Sequence, residues 1–438
     1  MTPKMAIERK REGLALAPED IREFVQGFAS GEIPDCQAAA FAMAVCCRGM
    51  DAEETAALTD AMLHSGAVLS WEDLDRPSAD KHSTGGVGDK LSFVVLPVAA
   101  ACGVAVPSLV GRGLGLTGGT ADKLESIPGF RAAIPLSRFR EIVRGAGLSM
   151  AAQTAEIAPA DGKLYALRDV TGTVASIPLI VSSILSKKLA EGAGALVFDV
   201  KCGRGAFMKT RAEAAELAAA LVSGAKAAGR KAAALVTDMD APLGRAVGNA
   251  CEVAEALEIL SGATRGADGE RLPEVALSLT LAALMVSLAR GIPEAEAYAE
   301  CEARLDDGAA LAAFRRSVAA QGGDLDAFSA EVRRPVFRFA VQAERAGRVA
   351  EIDAGKVALA ALELGAGRKK PGDAIDPRAG VELAARRGSR VAPGDILATL
   401  SKSGSPDGLE QAAACLAGAF AISRDAPPQA SLVLERFD

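Results

Sequence analysis

The chain has 438 residues, of which 50% are hydrophobic and 24% are charged, enough to bury a large core in about two or three domains. Its net charge of −7 and pI near 5.3 argue against a nucleic acid partner. The amino terminus lacks an apolar signal core and no uncharged apolar stretch approaches the roughly 18 residues of a membrane span, so we expect a cytoplasmic protein without membrane contact.

The first segment, residues 1–65, is predicted to be helical. Stretches such as APEDIREFVQGFASG and AEETAALTDAMLHSG have helix-period apolar faces. Helical texture returns over residues 163–193, between small-residue stretches suited to hinges. We therefore predict a discontinuous helical domain made of these two segments.

The segments 66–162 and 194–332 alternate apolar runs with glycine loops and amphipathic helices. VAVPSLV, GALVFDVK and KAAALVTDM are predicted to be buried parallel strands, and TRAEAAELAAALVSGAKAAG a crossover helix. Residues 333–438 contain short strands and G-D turns. The predicted fold class is α/β: a small all-helical domain, a large α/β domain with a mainly parallel sheet, and a small C-terminal α+β module.

The stretch ADKHSTGGVGDKLS, residues 79–92, contains three glycines that permit positive φ and bring backbone N–H groups close to a ligand. A helix is predicted to follow, with its N-terminus facing the same spot. The donors predicted to hold an anion there are the ammonium of Lys81 and the hydroxyls of Ser83, Thr84 and Ser92. This set favours phosphate over carboxylate; the plainer alternative is a glycine turn with a solvated lysine.

A second glycine loop, GRGLGLTGGTADKLE, follows a predicted strand and precedes a helix. Its Gly113-x-Gly115-x-x-Gly118 matches the dinucleotide fingerprint, which makes a nicotinamide enzyme an alternative. The acidic residue expected ~20 positions later is absent, since Arg138 lies there in a predicted helix. We therefore interpret the loop as a second phosphate site, with the backbone and Thr120 donating.

Four motifs then carry a family resemblance: DKHSTGGVGD, GRGLGLTGGTADKLESIPGF, YALRDVTGTVASIPLIVSSILSKKLAEG and FDVKCGRGAFM. In this order they resemble the signatures of the thymidine and pyrimidine-nucleoside phosphorylases, and the resemblance covers nearly the whole chain. It implies a homodimer formed through the helical domain and an active cleft between the domains that closes by hinge motion. It also implies phosphorolysis of pyrimidine nucleosides to free base and (deoxy)ribose 1-phosphate in nucleoside salvage and catabolism, with inorganic phosphate as co-substrate and no cofactor.

The resemblance also assigns the base site. It implies three catalytic residues, His82, Arg168 and Lys187. Ser183 joins Arg168 and Lys187 in holding the base, with Tyr165 and Phe207 as wall residues. His82 would face the O2 edge of the base as a hydrogen-bond donor or a general acid.

For phosphate, the resemblance implies binding by Lys81, Ser83, Ser92, Ser108 and Thr120. The chain departs from the family pattern at Val110, where a serine is usual, and at Leu116, where a histidine is common. Ser108 stands where one branch has lysine and the other methionine, so the preference between thymidine and uridine stays open.

In the pyrimidine-nucleoside branch the resemblance implies a bound monovalent cation. The positions that correspond to its ligands are Gly88, Leu243, Ala246 and Glu255 in this chain, while Lys90 stands where that branch has a hydroxyl residue. We predict no metal and hypothesise that the ammonium of Lys90 fills the vestigial site. The alternative is that Lys90 points into solvent.

The remaining histidine, cysteines and lysine pair are interpreted structurally. His64 lies at a probable helix end. The eight cysteines form no CxxC pair and are predicted to be reduced thiols without metal or disulfide. Lys188 is predicted to lie on the surface.

Two rival functions stay open. One is a transferase of the anthranilate phosphoribosyltransferase type, although the acidic pair typical of it is not found. The other is a nucleoside-binding relative that has lost catalysis.

Overall fold

A computed structural model describes residues 1–113, 118–334, 336–370, 372–427 and 431–438. The helices within these ranges are α1 Pro3–Arg11, α2 Pro18–Ser30, α3 Asp35–Arg48, α4 Ala52–Leu63, α5 Ser92–Ala101, α6 Thr120–Leu124, α7 Leu136–Ala146, α8 Pro159–Thr171, α9 Ile177–Ala190, α10 Arg211–Ala227, α11 Ala250–Leu260, α12 Pro273–Arg290, α13 Glu294–Asp306, α14 Ala309–Ala320, α15 Leu325–Val332, α16 Ala354–Glu363 and α17 Leu409–Ala417. The strands are β1 Ala79–Ser83, β2 Val106–Val110, β3 Leu148–Ala152, β4 Ala195–Cys202, β5 Lys231–Asp238, β6 Ala246–Gly248, β7 Phe337–Gln342, β8 Gly347–Ile352, β9 Gly380–Leu383, β10 Arg390–Val391, β11 Ile396–Lys402, β12 Phe420–Ser423 and β13 Val433–Phe437.

Helices α1–α4, α8 and α9 pack around one apolar core, so the two helical stretches of the sequence meet in space. Phe24 and Phe41 stack in this core with ring centroids 4.4 Å apart. Glu54 closes a capping box at the start of α4 and accepts from the buried ammonium of Lys10 at 2.7 Å, which ties α1 to α4. The predicted helical bundle is confirmed, although α8 begins at Pro159, before the predicted boundary.

The large domain contains the predicted parallel sheet. Strands β1, β4 and β5 pair in parallel, and β2 pairs in parallel with β3. A parallel bridge between Ser78 and Ala105 joins the two groups, so the strand order is β3-β2-β1-β4-β5. Successive residues of β4 enter two different cores: Val197 faces the α5 and α12 side, and Phe198 faces α10. Burial on both faces explains the continuous apolar strands in the sequence.

The C-terminal module consists of antiparallel strands with α16 and α17, as the sequence predicts. Two strands cross its boundary with the large domain. The last strand, β13, pairs antiparallel with β5, so residues 433–437 extend the sheet of the large domain. In the opposite direction, β6 pairs with β9 of the module. Strand pairing thus connects the module to the large domain at two places.

Helix α12 has 18 residues and a mean hydropathy of 1.4, so length and composition alone would let it cross a membrane. However, 61% of it is buried inside the protein, where it packs against β1, β4 and α5. These contacts are those of a core helix in an α/β domain.

Candidate active site

The candidate site lies at the carboxyl edge of the parallel sheet. Strands β1, β2 and β4 all end there, at Ser83, Val110 and Cys202. In parallel α/β sheets, the loops that leave this edge are the usual ligand-binding loops. Both glycine loops and the loop that carries Phe207 therefore leave from the same edge.

The first glycine loop needs its glycines for close approach. Gly85 and Gly88 have φ of 87° and 71°, a region that side chains rarely adopt. A Cβ at Gly88 would lie 2.6 Å from the carbonyl oxygen of Leu243, and one at Gly86 would lie 2.5 Å from the methyl group of Met239. The loop is therefore packed tightly onto the segment that precedes β6.

The hydroxyl of Ser83 already has a partner in this loop. It donates to Asp89 at 2.5 Å and accepts from the N–H of Gly85 at 3.2 Å. Among the described residues no hydrogen bond is made by the side chains of three other predicted phosphate ligands, Ser92, Ser108 and Thr120. The three free hydroxyls can donate directly to an anion, whereas Ser83 must first leave Asp89.

The ammonium of Lys81 is buried beneath this loop. It lies 3.2 Å from Oδ2 of Asp199, and both side chains are fully buried. Burial by itself lowers the pKa of Lys81, but the carboxylates of Asp89 and Asp199 more than offset it and raise the pKa overall. Lys81 therefore stays charged.

The second glycine loop is closed by Asp122, a residue that the sequence reasoning missed. Its Oδ2 accepts from the N–H groups of Gly113 at 2.6 Å and Gly119 at 3.0 Å, while Arg112 and Arg368 pair with its Oδ1. These two amides therefore donate to a carboxylate and are not available to phosphate, while the contribution of Thr120 and the rest of the loop stays a prediction. Gly115 and Leu116 lie outside the described residues.

Lys187 projects from α9 at the helical side of the cleft. It donates to Asp161 of α8 at 2.5 Å and to the hydroxyl of Ser183 at 2.8 Å, and its side chain is 20% exposed. The ring of Tyr165 lies 5.8 Å from the ammonium, and burial raises the pKa of this tyrosine. The structure thus brings together three of the predicted base-site residues, held by Asp161.

Arg168 lies on the same helix as Tyr165 but is turned inward. It is 1% exposed, and its guanidinium donates to the carbonyl oxygens of Thr173, Val174 and Leu179 at 3.4, 2.9 and 3.0 Å. All three acceptors belong to the turn between α8 and α9 or the first turn of α9. In this conformation three of the five guanidinium N–H donors of Arg168 brace the turn, and its Cζ lies 5.5 Å from the centroid of the Tyr165 ring.

His82 is half-buried on β1 between the two sides of the cleft. Burial, followed by the positive charges of Lys188, Lys187 and Lys81, lowers the pKa of His82 well below its ordinary value. The imidazole is therefore neutral near pH 7. His64, at the end of α4, is exposed, and its Nδ1 lies 3.0 Å from the carbonyl oxygen of Asp60, as expected of a helix-end residue.

Two predicted positions differ from expectation. Phe207 follows β4 and is 51% exposed, so it forms no closed wall. Lys188, predicted to lie on the surface, is buried: its ammonium bonds Asp80, Glu191 at 3.0 Å and the carbonyl of Leu109 at 3.0 Å. The surface prediction was wrong because α9 packs its charged end against β1 and β2 instead of ending in solvent.

Lys90 is 1% exposed and points away from solvent. Its ammonium donates to the carbonyl of Leu243 at 2.6 Å and lies 2.9 Å from Oε2 of Glu255. The same carboxylate accepts from the N–H groups of Arg245 and Ala246, and despite burial Lys90 lowers its pKa. The alternative of a solvated Lys90 is therefore excluded. No group of three or more His, Cys, Asp or Glu residues in the described part of the chain is arranged to hold a metal ion.

The sequence reasoning found Lys81 and Lys187, and Lys90 with its partner Glu255, but it missed Lys201 and the carboxylates that hold Lys81 and Lys187. Asp199 and Glu191 stand inside the quoted motifs and Asp161 lies just before one of them, yet a single carboxylate next to an apolar run carries no signal of its own. One signal was available for Asp199, because a charged residue at the centre of the otherwise apolar strand GALVFDVK needs a buried partner.

Three family models match segments of this chain. Residues 4–66 match the helical bundle domain and residues 75–311 the a/b domain described for a glycosyl transferase family, and residues 348–423 match the pyrimidine nucleoside phosphorylase C-terminal domain. Among solved structures, an anthranilate phosphoribosyltransferase from Thermus thermophilus aligns with a TM-score of 0.59 at 22% identity, over 72% of this chain and 99% of that one. That likeness shows a shared fold.

Curated relatives match over the full length. The chain is 46% identical to a thymidine phosphorylase of Agrobacterium fabrum, over 100% of this chain and 99% of that protein. It is 48% identical to a thymidine phosphorylase of Mycobacterium tuberculosis, over 98% and 97%. It is 45% identical to a pyrimidine-nucleoside phosphorylase of Geobacillus stearothermophilus, over 90% of each chain. The chain therefore belongs to the thymidine phosphorylase and pyrimidine-nucleoside phosphorylase family and is a pentosyltransferase.

Proposed function

We propose that this enzyme uses inorganic phosphate to cleave pyrimidine nucleosides, thymidine and also uridine, into the free base and (deoxy)ribose 1-phosphate. The observation that carries the proposal is the convergence of charge on His82. The positive charges of Lys188, Lys187 and Lys81 all lower the pKa of His82. Lys188 is held by Asp80 and Glu191, whereas Lys81 lies beneath the first glycine loop, on the proposed phosphate side, and Lys187 lies on the helical domain, on the proposed base side.

On the phosphate side, the free hydroxyls of Ser92, Ser108 and Thr120 and the ammonium of Lys81 hold the nucleophile. Ser92 is the first residue of the ten-residue helix α5, so the N-terminus of this helix adds its dipole. The anion attacks C1′ of the sugar through a transition state with oxocarbenium character. The site contributes by holding phosphate against the anomeric carbon.

On the base side, negative charge develops on the departing pyrimidine. The ammonium of Lys187, oriented by Asp161 and Ser183, donates to the base as this charge grows. Such preorganised donors act on the transition state more than on the ground state. His82 acts as a neutral hydrogen-bond donor, because its lowered pKa leaves little imidazolium to serve as an acid.

Hinge closure is part of the proposal. Base ligands lie on α8 and α9, whereas the phosphate ligands lie on the sheet domain, and three short crossings connect the two parts, at 64–78, 153–158 and 191–194. Closing the cleft brings Lys187 toward the sugar and excludes water. Arg168 would reach the base only if closure frees it from the carbonyl groups of the α8–α9 turn.

We also propose a homodimer formed through the helical domain, acting in the cytoplasm in nucleoside salvage. Helix α3 carries an exposed row of apolar and small residues, Cys36, Ala40, Met43 and Cys47, on one face. Met43 is 43% exposed, and Val170 on the neighbouring α8 is 72% exposed. An apolar row of this kind on two adjacent helices supports a surface that a second copy covers.

The tethered ammonium of Lys90 is proposed to take the place of a bound monovalent cation. It contacts the carbonyl of Leu243 and the carboxylate of Glu255, two of the oxygens that such an ion would need. A lysine side chain supplies the charge permanently, so the enzyme works without added K⁺.

The test is an assay of free base release from thymidine, deoxyuridine and uridine, with and without phosphate and with Mg²⁺ chelated. Phosphate-dependent release without Mg²⁺ is the expected result. Release that needs a diphosphorylated sugar and Mg²⁺ would favour a phosphoribosyltransferase. Binding of nucleoside without turnover would mean a non-catalytic relative.

A further inference from the structure

Beneath the first glycine loop, two buried lysines share one carboxylate. Lys201 of β4 lies 2.7 Å and Lys81 of β1 lies 3.2 Å from the same Oδ2 of Asp199, and all three side chains are 0% exposed. The other oxygen of Asp199 accepts from the hydroxyl of Thr237 at 2.6 Å. Both carboxylate oxygens of Asp199 therefore already have contacts.

Elsewhere in the described chain, buried lysines have their own carboxylates. Lys10 pairs with Glu54, Lys90 with Glu255, Lys123 with Glu252, and Lys188 with both Asp80 and Glu191. The Lys81–Asp199–Lys201 cluster is therefore the buried place in the described chain where contacting cations outnumber contacting carboxylates; the charge of Asp89 acts on both lysines without contacting either of them.

The ammonium groups of Lys81 and Lys201 also have N–H donors without an acceptor among the described residues. Neither Nζ has a hydrogen-bond partner of good geometry among the described residues, although both atoms are fully buried. The next carboxylate, Asp89, is bonded to the hydroxyl of Ser83 and to the N–H of Leu91. Donors that are buried and unpaired beside a ligand loop are positioned to bind what enters the loop.

Lys201 is also connected to the loop through its backbone. Its N–H donates to the hydroxyl of Thr84 at 2.9 Å, and the N–H of Thr84 donates to the carbonyl of Asp199 at 3.1 Å. Because β1 and β4 pair in parallel with Ser83 opposite Asp199, Lys201 lies beyond the last paired residue, under the start of the glycine loop.

We infer that Lys201 is a positioning residue of the phosphate site, which neutralises Asp199 so that the ammonium of Lys81 stays free to donate to the anion. Without Lys201, Lys81 and Asp199 would form a closed one-to-one pair and the lysine would be lost to the ligand. This inference rests on the proposed function, since it concerns the grip on phosphate. The inference extends the proposed function by assigning a role to a residue that does not contact the nucleoside.

The first test is Lys201→Met, a neutral side chain of similar length. We expect the KM for phosphate to rise about tenfold or more, as for a lost hydrogen bond to a charged group, while the KM for thymidine at saturating phosphate stays within about twofold. Lys209→Met, which removes an exposed lysine just beyond the same strand, should change neither value. An unchanged phosphate KM in Lys201→Met would overturn the inference.

A double variant separates positioning from simple structural support. In Lys201→Met combined with Asp199→Asn, no carboxylate holds Lys81, so we expect the phosphate KM to return toward the wild-type value. If Lys201 served only to stabilise the fold, Asp199→Asn would not restore the phosphate KM and would further lower the free energy of unfolding. The double variant removes one charge of each sign, so it keeps the test open if Lys201→Met alone fails to fold.

Failure of the inference and failure of the proposed function are distinguishable. Thermal stabilisation by inorganic phosphate and by sulfate reports anion binding whether or not any nucleoside is cleaved. We expect this stabilisation to be reduced in Lys201→Met and restored in the double variant. Full stabilisation in Lys201→Met contradicts the inference, and a wild-type protein that binds phosphate but releases no base contradicts the proposed function alone.

Discussion

The two sides of the candidate cleft are built differently. On the phosphate side, Lys81 and Lys201 are fully buried and fixed by Asp199 before any ligand arrives. On the base side, Lys187 is 20% exposed and held by one carboxylate and one hydroxyl on two helices. In the proposed site, folding of the sheet alone fixes the cations on the phosphate side, whereas the position of Lys187 on the base side depends on the placement of the helical domain.

The adjacent residues Lys187 and Lys188 show the same contrast within one helix. Lys187 faces the cleft, and Lys188 faces the junction between α9 and the sheet, where Asp80 and Glu191 surround it. Burial, together with Asp80, raises the pKa of Glu191, so this carboxyl group holds a proton in the folded protein more readily than in water. Lys188 is thus held in a buried structural cluster, whereas the proposed chemical role belongs to Lys187.

The largest effect is expected for Lys188→Met. The change leaves Asp80 buried without a cation, which typically costs about 3–5 kcal/mol. Urea denaturation should show this loss in the free energy of unfolding, and the folded fraction should retain its turnover. An exposed-site control is Lys209→Met. Unaltered stability in Lys188→Met would mean that the triad does not hold the domains together.

Lys187→Met should instead act on the chemical step. Losing one donor to the developing charge typically costs ~2.7–4 kcal/mol, or about 10²–10³ in kcat. Pairing it with Asp161→Asn avoids leaving the buried carboxylate of Asp161 alone, so that kcat can be measured on a stable protein. Wild-type kcat in this pair of changes would remove Lys187 from the base site.

Lys90→Thr tests the tethered cation. Wild-type stability and activity should be the same in K⁺ and in tetramethylammonium at constant ionic strength. The variant opens a site beside Glu255 and should become K⁺-dependent, gaining about 2.7 kcal/mol of stability when K⁺ is 100 times its Kd. Thermal unfolding in the two salts measures the effect. A wild-type protein that needs K⁺, or a variant indifferent to it, would contradict the proposal.

Arg168→Ala should cost stability as well as turnover. It leaves the buried carbonyl groups of the α8–α9 turn without donors, at about 1–3 kcal/mol for an unsatisfied group. Arg168→Lys can satisfy one of the three carbonyls and should recover part of the stability. If Arg168→Ala unfolds like the wild type but loses kcat, then Arg168 reaches the base after closure and its bracing role is secondary.

The smallest effect concerns pH and His82. Its pKa is lower in the folded than in the unfolded protein, so the unfolded state takes up the proton first and stability falls as the pH drops below about 6.5. His82→Gln should flatten this decline in urea denaturation between pH 7.5 and 5.5. Correspondingly, kcat at saturating phosphate should not fall as the pH rises through about 6.5. A fall there would assign His82 as a general acid.

Much of this protein could be predicted from its local patterns. Helical periodicity in 1–65, apolar runs such as GALVFDVK and glycine loops after strands are short-range signals, and the folded protein confirms the elements they predict. Lys81 and Lys187 lay inside long motifs and Lys90 directly after one, so these three cations could be singled out, whereas Lys201 was missed. Their roles as ligands stay predictions.

What the sequence by itself determined is the set of elements and the residue types at the carboxyl edge of the sheet, because backbone propensity and hydrophobic periodicity act within a few residues. Only the tertiary structure decided the partner of each charge. Asp199 meets Lys81 across paired strands, and Lys188 meets Asp80 across 108 residues, whereas the Lys90–Glu255 pair was already implied by the family resemblance. The sign of a side chain's charge is a local property, but its burial and its free energy are set by what packs against it.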